Sequence, residues 1–434
     1  MKFFLHLLKI YEVKKTMISI LLPLLVTINL FLLSKTNIEL SWLFFSQLFS
    51  LLGTVLLSIS FVLGSRSRFL EKIFGGLDKV IKLHHIIGGV SFVLLLNHPI
   101  FLALSVLPNF NLASRYIFFS ADQIYNFGVM ALATMTLLLI FTLIIKLPYD
   151  IWLKTHDFFG LVLLFASLHI FLITSDVSRY LPLRIWMMLV LAVGIYFYIF
   201  KVFLYKKFGP KYSYIVEKIN EVGDVLEIYL KPENESIKYY PGQFAFINFD
   251  MNGLNETHPF SFSSSPDDFM IRFTIKIMGD YTLKLRQLSP GTKCLIWGSY
   301  GKLYYGFDGN KDVVCVAGGI GITPFVSLIR YEIKHIKPRK IYLFYSAKTE
   351  KSAIYHSDFI ELESNLINFN YYPNFTCDKP QLSCQKLVEN IGNLNNKLFY
   401  LCGPTKMMDN LSYQLQENGV KTKDIIFEDF SFKS

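Results

Sequence analysis

His84 and His98 lie 14 residues apart in one long apolar stretch, and His156 and His169 lie 13 apart in another. Ionisable groups are expensive at membrane depth, so an intramembrane histidine marks a functional position by default. A single one is readily explained as a neutral imidazole hydrogen-bonded to a neighbouring helix; four in two matched pairs ask for more. About 21 Å of rise and almost four full turns separate His84 from His98, so both imidazoles face one way along a helix. Two haems stacked across a membrane need that arrangement, because two imidazoles fill both axial positions of an iron and suit it to electron transfer. The 13-residue interval leaves His156 and His169 about 140° out of phase on a straight helix, and a locally tightened turn is expected between them. Gly88 and Gly160 each follow a histidine by four residues, which makes room for a porphyrin face one turn away. His85 points about 100° from the His84 direction. Pro99 predicts a kink beside His98.

A second set of candidates lies in the other half of the chain. The run His258-Pro259-Phe260-Ser261-Phe262-Ser263-Ser264 reads as a strand ending in hydroxyls and free backbone donors. Such a surface can hydrogen-bond an isoalloxazine edge and hold its ribityl chain, although serine-rich strand ends are also ordinary turns. Lys276, followed by Gly279-Asp280-Tyr281-Thr282 opening a helix, supplies a cation and a helix N-terminus for a pyrophosphate. The run Ala317-Gly318-Gly319-Ile320-Gly321-Ile322-Thr323-Pro324 departs from strict GxGxxG, but a glycine turn between strand and helix still lets a dinucleotide phosphate approach the backbone. A plain strand-to-helix turn is the competing reading. Cys402-Gly403-Pro404 follows the apolar strand 398–401 and puts a second turn where a nicotinamide would lie; Cys402 is equally readable as a buried apolar residue. Near the C-terminus Phe430 shares an extended face with Glu428 and Phe432, placed either to stack on a flavin until nicotinamide displaces it or to pack as an edge-strand core residue. Cys402 and Phe430 are thus the candidates nearest to hydride transfer. Ser346 and Lys348, after the second strand of this region, are placed to meet a 2′-phosphate, which would favour NADPH over NADH.

The elements that must position these residues follow from composition. Of the 434 residues, 52% are hydrophobic, 41 are Phe and only 18% are charged, which excludes an ordinary soluble globular protein. Apolar stretches at 17–33, 41–64, 80–107, 124–147, 153–174 and 181–205 are long enough to span a bilayer. Lys14 and Lys15 before the first suggest a signal peptide, but no small-x-small cleavage site follows it. Six spans with the N-terminus inside place 15 Lys and Arg of residues 1–211 on the cytoplasmic side and only Lys35, Arg115, Arg179 and Arg184 outside. The net charge of +10 resolves into +11 for residues 1–211 and −1 for 212–434, so it speaks for orientation and gives no support for nucleic-acid binding. Five cysteines, all in the second half and without CxxC spacing, argue against a disulfide scaffold and for a reducing cytosol around that half. From about 212 short alternating segments predict an antiparallel barrel. Beyond 308, strand, glycine turn, helix and strand predict a Rossmann-like α/β lobe. The expected organisation is a six-helix transmembrane haem domain at 1–211, an FAD-binding β-barrel at 212–308 and an NAD(P)-binding lobe at 309–434.

In combination these residues resemble the ferric reductase and NADPH oxidase family: a six-helix cytochrome b domain joined to a ferredoxin-reductase-like dehydrogenase. The resemblance covers nearly the whole chain. It rests on the His84/His98 and His156/His169 spacings, the HPFSFSS run, Lys276 with GDYT, the AGGIGITP run and the Cys402-Gly403-Pro404 turn. It implies that His84 and His156 hold an inner b-type haem and His98 and His169 an outer one, and that electrons pass from cytosolic NADPH or NADH through FAD and both haems to an extracytoplasmic acceptor, ferric chelate or dioxygen, the latter giving superoxide. An alternative is an electron-donating cytochrome serving an extracytoplasmic partner protein. The expected setting is a bacterial cytoplasmic membrane, with the lipid bilayer and a small-molecule acceptor as partners and no nucleic acid. Two departures stand out: Gly298-Ser299-Tyr300-Gly301 replaces the Gly-Pro-Tyr-Gly common in relatives, and Leu102 stands where oxidase members tend to have a further histidine.

Overall fold

Runs of Leu, Ile, Phe and Val form helices through the first half of the chain, the one open-ended structure that satisfies every backbone polar group without water. The computed structural model describes residues 13–65, 67–145, 147–205, 209, 211–304, 309–335, 338–378 and 380–427. Phe430, together with Lys2, Lys9, Arg66, Lys146, Lys206 and Lys207 of the charge count, lies outside the described residues. Two units result, Met1–Gly209 and Pro210–Ser434.

The first unit contains α1 (Val13–Leu33), α2 (Trp42–Gly64), α3 (Leu77–Ser105), α4 (Gln123–Leu143), α5 (Tyr149–Asp157), α6 (Phe159–Leu172) and α7 (Leu181–Ile199), the last running into a π-turn at Phe200–Leu204. Ser41 and Asp122 cap α2 and α4, accepting from the backbone N–H groups of Phe44 and Ile124. Among the described residues five segments are long and apolar enough to cross a membrane: Trp42–Gly64, Leu77–Ser105, Gln123–Leu143, Ile151–Leu172 and Leu181–Leu204. The first of the six stretches counted from sequence is represented by the shorter apolar run Ile18–Leu33. Leu22, Leu25, Val93, Leu137, Leu143 and Met188 are exposed, as lipid-facing side chains would be.

The expected tightened turn is present. The fifth span is two helices joined at Phe158, whose N–H donates to the Thr155 carbonyl (3.2 Å) while its own carbonyl accepts from Leu161 N (2.9 Å). Both are three-residue bonds, tighter than the α-helical ladder.

Helices α2 and α3 meet along a seam of small and polar residues at seven-residue steps. Ser46, Gly53 and Ser60 of α2 face His98, Ser91 and His84 of α3 in that order. The middle rung is a bond from Ser91 Oγ to the Gly53 carbonyl at 2.8 Å. A Cβ on Gly53 would lie 2.7 Å from Leu95 Cγ, so only glycine lets the helices close here.

In the second unit β1 (Lys211–Val222), β2 (Val225–Pro232), β3 (Phe244–Phe249), β4 (His258–Ser261), β5 (Ile271–Lys276) and β6 (Lys293–Tyr300) form a curled antiparallel sheet in the order β4-β3-β6-β1-β2-β5. Its two edges meet at a bridge between Phe262 and Phe273. Val216, Ile228, Ala245, Phe249, Phe273 and Ile296 fill its interior. A parallel sheet follows, built from β7 (Asp312–Gly318), β8 (Ile341–Ala347), β9 (Phe369–Phe375), β10 (Lys397–Cys402) and β11 (Ile425–Phe427) in the order β11-β10-β7-β8-β9. Helix α9 (Thr323–His335) crosses from β7 toward β8, and its Glu332 forms a buried two-point ion pair with Arg339 (2.9 and 3.2 Å).

The two sheets of this unit are locked by polar contacts. Ser327 of α9 donates to the Ser264 carbonyl at 2.6 Å, and Lys334 pairs with Asp268 at 2.6 Å. The Tyr355 hydroxyl donates to the Glu227 carboxylate, lies 2.7 Å from Thr274 Oγ1, and has the Arg272 guanidinium 5.1 Å above its ring. Burial works to raise the Glu227 carboxyl, but the Tyr355 hydrogen bond and the Arg272 charge outweigh it and hold the group below its ordinary value.

Candidate functional site

The four intramembrane histidines come together as two pairs. The rings of His84 and His156 are 6.0 Å apart between centroids, and those of His98 and His169 are 6.5 Å apart. A metal bonded to one nitrogen of each ring, at about 2 Å per bond, requires a centroid separation of about 6 Å. Three of the rings are oriented by backbone carbonyls: His84 Nδ1 by Ser60, His98 Nδ1 by Ser46 and His169 Nδ1 by Ile124, each at 2.9 Å. A carbonyl can only accept, so Nδ1 carries the proton and Nε2 keeps its lone pair for a metal. Two imidazoles are too few for a closed protein-only metal site, whereas an iron already held in a porphyrin lacks two axial ligands. The donor set therefore fits haem. Buried His156 Nδ1 has no hydrogen-bond partner among the described residues, which sets this candidate apart from the other three.

Of the two glycines that follow a histidine by four residues, Gly160 departs from the sequence expectation. At Gly160 an added Cβ would run into the Tyr198 ring, so this glycine makes room for a protein side chain, whereas at Gly88 it would meet Ser60 Oγ at an ordinary 3.5 Å. Gly128, which sequence reading did not single out, lies against His169: a Cβ there would sit 3.1–3.2 Å from three ring atoms.

In the second unit the two glycine turns meet. Strands β7 and β10 are adjacent, with Cys402 opposite Ala317, so the 318–321 and 402–404 turns emerge side by side at the C-terminal edge of the parallel sheet. Strand order reverses between β7 and β10, the position where open α/β sheets bind ligands. The glycines divide their roles. A Cβ on Gly318 would lie 2.7 Å from Pro404 Cδ, one on Gly403 2.9 Å from Gly318 Cα, and one on Gly321 2.8 Å from Gly403 N, so these three let the turns pack. Gly319, at φ +55° with nothing within 4 Å of its missing Cβ, leaves backbone open to a phosphate. Helix α9 begins there with Thr323 and Pro324, its N-terminus favouring an anion. Cys402 is 1% exposed, a core position. Ser346 and Lys348 follow at the same edge, at the end of β8 next to β7.

The flavin candidates are split between surface and core. His258, Pro259, Phe260 and Ser261 are half-buried on edge strand β4, and Ser261 Oγ makes no hydrogen bond among the described residues. Phe262 is buried and stacked on Tyr239. Ser263 Oγ donates to the Arg272 carbonyl (3.0 Å), and Ser264 Oγ accepts from Arg272 N (2.8 Å), so these hydroxyls close the sheet. His258 stacks on Tyr281 at 3.7 Å and joins the HPFS strand to the GDYT segment. Burial holds His258 below its ordinary value, opposed by Glu256 at 2.8 Å. Lys276 pairs with Asp224 at 3.3 Å. The helix opening at Gly279, α8 (Asp280–Lys284), is a short turn, and Thr282 Oγ1 already accepts from Met278 N and Gly279 N.

Three family descriptions match successive parts of the chain: "Ferric reductase like transmembrane component" over residues 49–167, "FAD-binding domain" over 213–317 and "Oxidoreductase NAD-binding domain" over 315–412. NADPH oxidase 4 of Rattus norvegicus is 29% identical over 214 residues, covering 43% of this chain and 36% of that protein. Together the three domains and this relative support a protein of the ferric reductase and NADPH oxidase family. Other relatives within and beyond that family are a superoxide-generating NADPH oxidase heavy chain of Dictyostelium discoideum (29% identity over 184 residues, 35% of this chain, 26% of that one) and one component of the Na(+)-translocating NADH-quinone reductase of Yersinia pestis (29% over 167 residues, 36% and 40%). The chain thus spans less than half the length of each of these relatives.

For a member of this family the signal missed in the sequence was on α2. Ser46 and Ser60 are 14 residues apart in an apolar span, the same interval as His84 and His98, and two antiparallel helices in register bring the two intervals together.

Proposed function

We propose that the protein is an NAD(P)H-dependent transmembrane oxidoreductase that moves electrons from a cytosolic nicotinamide nucleotide to an acceptor across the membrane, by the overall change NAD(P)H + 2 acceptor(oxidised) → NAD(P)⁺ + H⁺ + 2 acceptor(reduced). The observation that carries this reading is the pairing of His84 with His156 and of His98 with His169 at the separation that bis-imidazole iron ligation needs. When bound, FAD supplies the conversion of a hydride into single electrons, and two b-type haems supply their carriage through the bilayer. The chain's own residues do the positioning: Gly319 and the start of α9 receive the nucleotide phosphates, and the β4 edge from His258 to Ser261 holds the flavin inside a barrel completed at Phe262. The run Ile18–Leu33 completes a six-span bundle with the N-terminus and the second unit on the cytoplasmic side of a bacterial membrane. The acceptor is a ferric chelate or dioxygen, since a haem held by two imidazoles could reduce either without binding it.

Purified protein should show a b-type reduced-minus-oxidised spectrum with two haems per chain, and oxidise NAD(P)H only with FAD and an acceptor present. A haem-free preparation that still passes electrons to the acceptor would remove the transmembrane route. Superoxide-dismutase-sensitive dye reduction, set beside ferrous-chelate formation without oxygen, separates the two acceptors.

Gly128 tests the second pair from the opposite helix. Gly128→Leu should push His169 off the pair and lose one of the two haems, whereas Gly64→Ala, whose Cβ would meet the His84 ring at an ordinary 3.5 Å, should keep both. Haem-to-protein ratio is the measurement, and equal loadings for the two variants would refute the close-approach role of Gly128.

A further inference from the structure

Three of the four ligand candidates are fixed by a carbonyl bond at Nδ1, and His156 is the exception. Without an acceptor among the described residues, no hydrogen bond at Nδ1 sets the rotation of the imidazole or decides which nitrogen keeps the proton. His156 also lies in the last turn of α5, one residue before that helix ends at Asp157. Its ring is instead packed between two aromatic side chains of its own span. Trp152 stacks on it with centroids 5.3 Å apart and planes 28° apart, and Phe159 meets it at 4.9 Å and 51°. Both contacts follow from spacing, since Trp152 is one turn before His156 and Phe159 three residues after, so all three side chains share a face.

We propose that Trp152 is a positioning residue for His156, holding by ring stacking the one imidazole that no carbonyl holds. The inference rests on the bis-imidazole reading of the two pairs. An indole plane nearly parallel to the imidazole blocks rotation about its ring axis, as the Ser60, Ser46 and Ile124 carbonyls do for the other three by hydrogen bonding. Stacking, unlike a carbonyl bond, adds no basicity to the ligand. The plane angle of the His84/His156 pair therefore depends on the aromatic packing around His156, of which Trp152 is the stacked member, and that of the His98/His169 pair does not.

The test uses the full-length, haem-loaded protein and its Trp152→Leu and Trp152→Phe variants, read by low-spin haem electron paramagnetic resonance and by potentiometric titration. In W152L one low-spin signal and one midpoint potential should shift while the other haem keeps its wild-type values. W152F, which keeps a stacking ring, should restore the wild-type signal. Trp186→Leu, which removes a hydrogen bond to Thr27 in the same unit at a distance from the histidines in sequence, controls for general loosening. Should W152L lose the haem of this pair outright, a wild-type signal in W152F still supports the stacking role, and loss in W152F as well overturns it. Unchanged signals in W152L, or equal shifts of both haems in W152L and W186L, also overturn it. Failure of the underlying reading is distinguishable, because it shows in the wild type as the absence of two low-spin haems.

Discussion

Replacing His98 with alanine should leave flavin reduction by NAD(P)H at its wild-type rate and lower reduction of an external acceptor by more than about 100-fold, since even residues that only support a metal ligand cost 10–100-fold when lost. His98 occupies a position nothing else can fill. Its Nδ1 is held at 2.9 Å by the Ser46 carbonyl, its ring faces His169 at 6.5 Å, and the Ser46 hydroxyl ties its backbone carbonyl at 2.8 Å. Alanine removes the ring and leaves His169 without the second imidazole that a haem there would need. The nucleotide and flavin candidates belong to the second unit and make no use of His98, so the early step should survive. Stopped-flow flavin bleaching under anaerobic conditions reads that step, and acceptor reduction under steady state reads the whole route. Equal loss of both rates would show that the two steps are not separable and would end the linear electron-route reading.

The histidine pattern was legible because a helix converts spacing into direction, and 14 residues nearly close four turns. What made the 13-residue interval workable was not legible. The three-residue bonds around Phe158 arise where α5 ends and α6 begins, and no Pro or Gly at 158 announces that break. Gly160 was legible as a small residue but not as the seat of Tyr198, because its neighbour comes from a helix some forty residues away. The serines of the HPFSFSS run show the same limit. Sequence reading exposes all their hydroxyls at a strand end, yet Ser263 and Ser264 are consumed in joining β4 to β5, which leaves Ser261 and the strand edge for a ligand. The glycine turns fared better, since strand, turn and helix are local features, and their meeting at the switch point follows from a parallel sheet in which β10 lies next to β7. Only a three-dimensional arrangement assigns each glycine its task.

That division of tasks makes Gly321 and Gly319 respond in opposite ways to the same substitution. A methyl at Gly321 would sit 2.6 Å from the Cys402 carbonyl carbon and 2.8 Å from Gly403 N, so backbone must move on one side or the other. Separating β7 from β10 at their C-terminal ends disturbs a buried stretch in which Val316 and Leu401 are fully enclosed. Overpacking of this kind costs about 1–3 kcal/mol, and the upper end is expected where the obstacle is backbone. Gly321→Ala should therefore lower the melting temperature of the second unit and raise the KM for NAD(P)H together, because the displaced turn adjoins the proposed phosphate site at Gly319. A methyl at Gly319 meets nothing within 4 Å but must adopt φ +55°, a left-handed conformation costing about 1–2 kcal/mol for an L-residue. Gly319→Ala should unfold at a temperature closer to wild type and lose nucleotide affinity disproportionately, since the added methyl projects into the space a phosphate would take. Thermal melts beside NAD(P)H saturation curves on the full-length protein separate the two. If Gly321→Ala melted like the wild type and changed only the KM, the packing role assigned to Gly321 would be wrong and phosphate clearance would be shared by both positions.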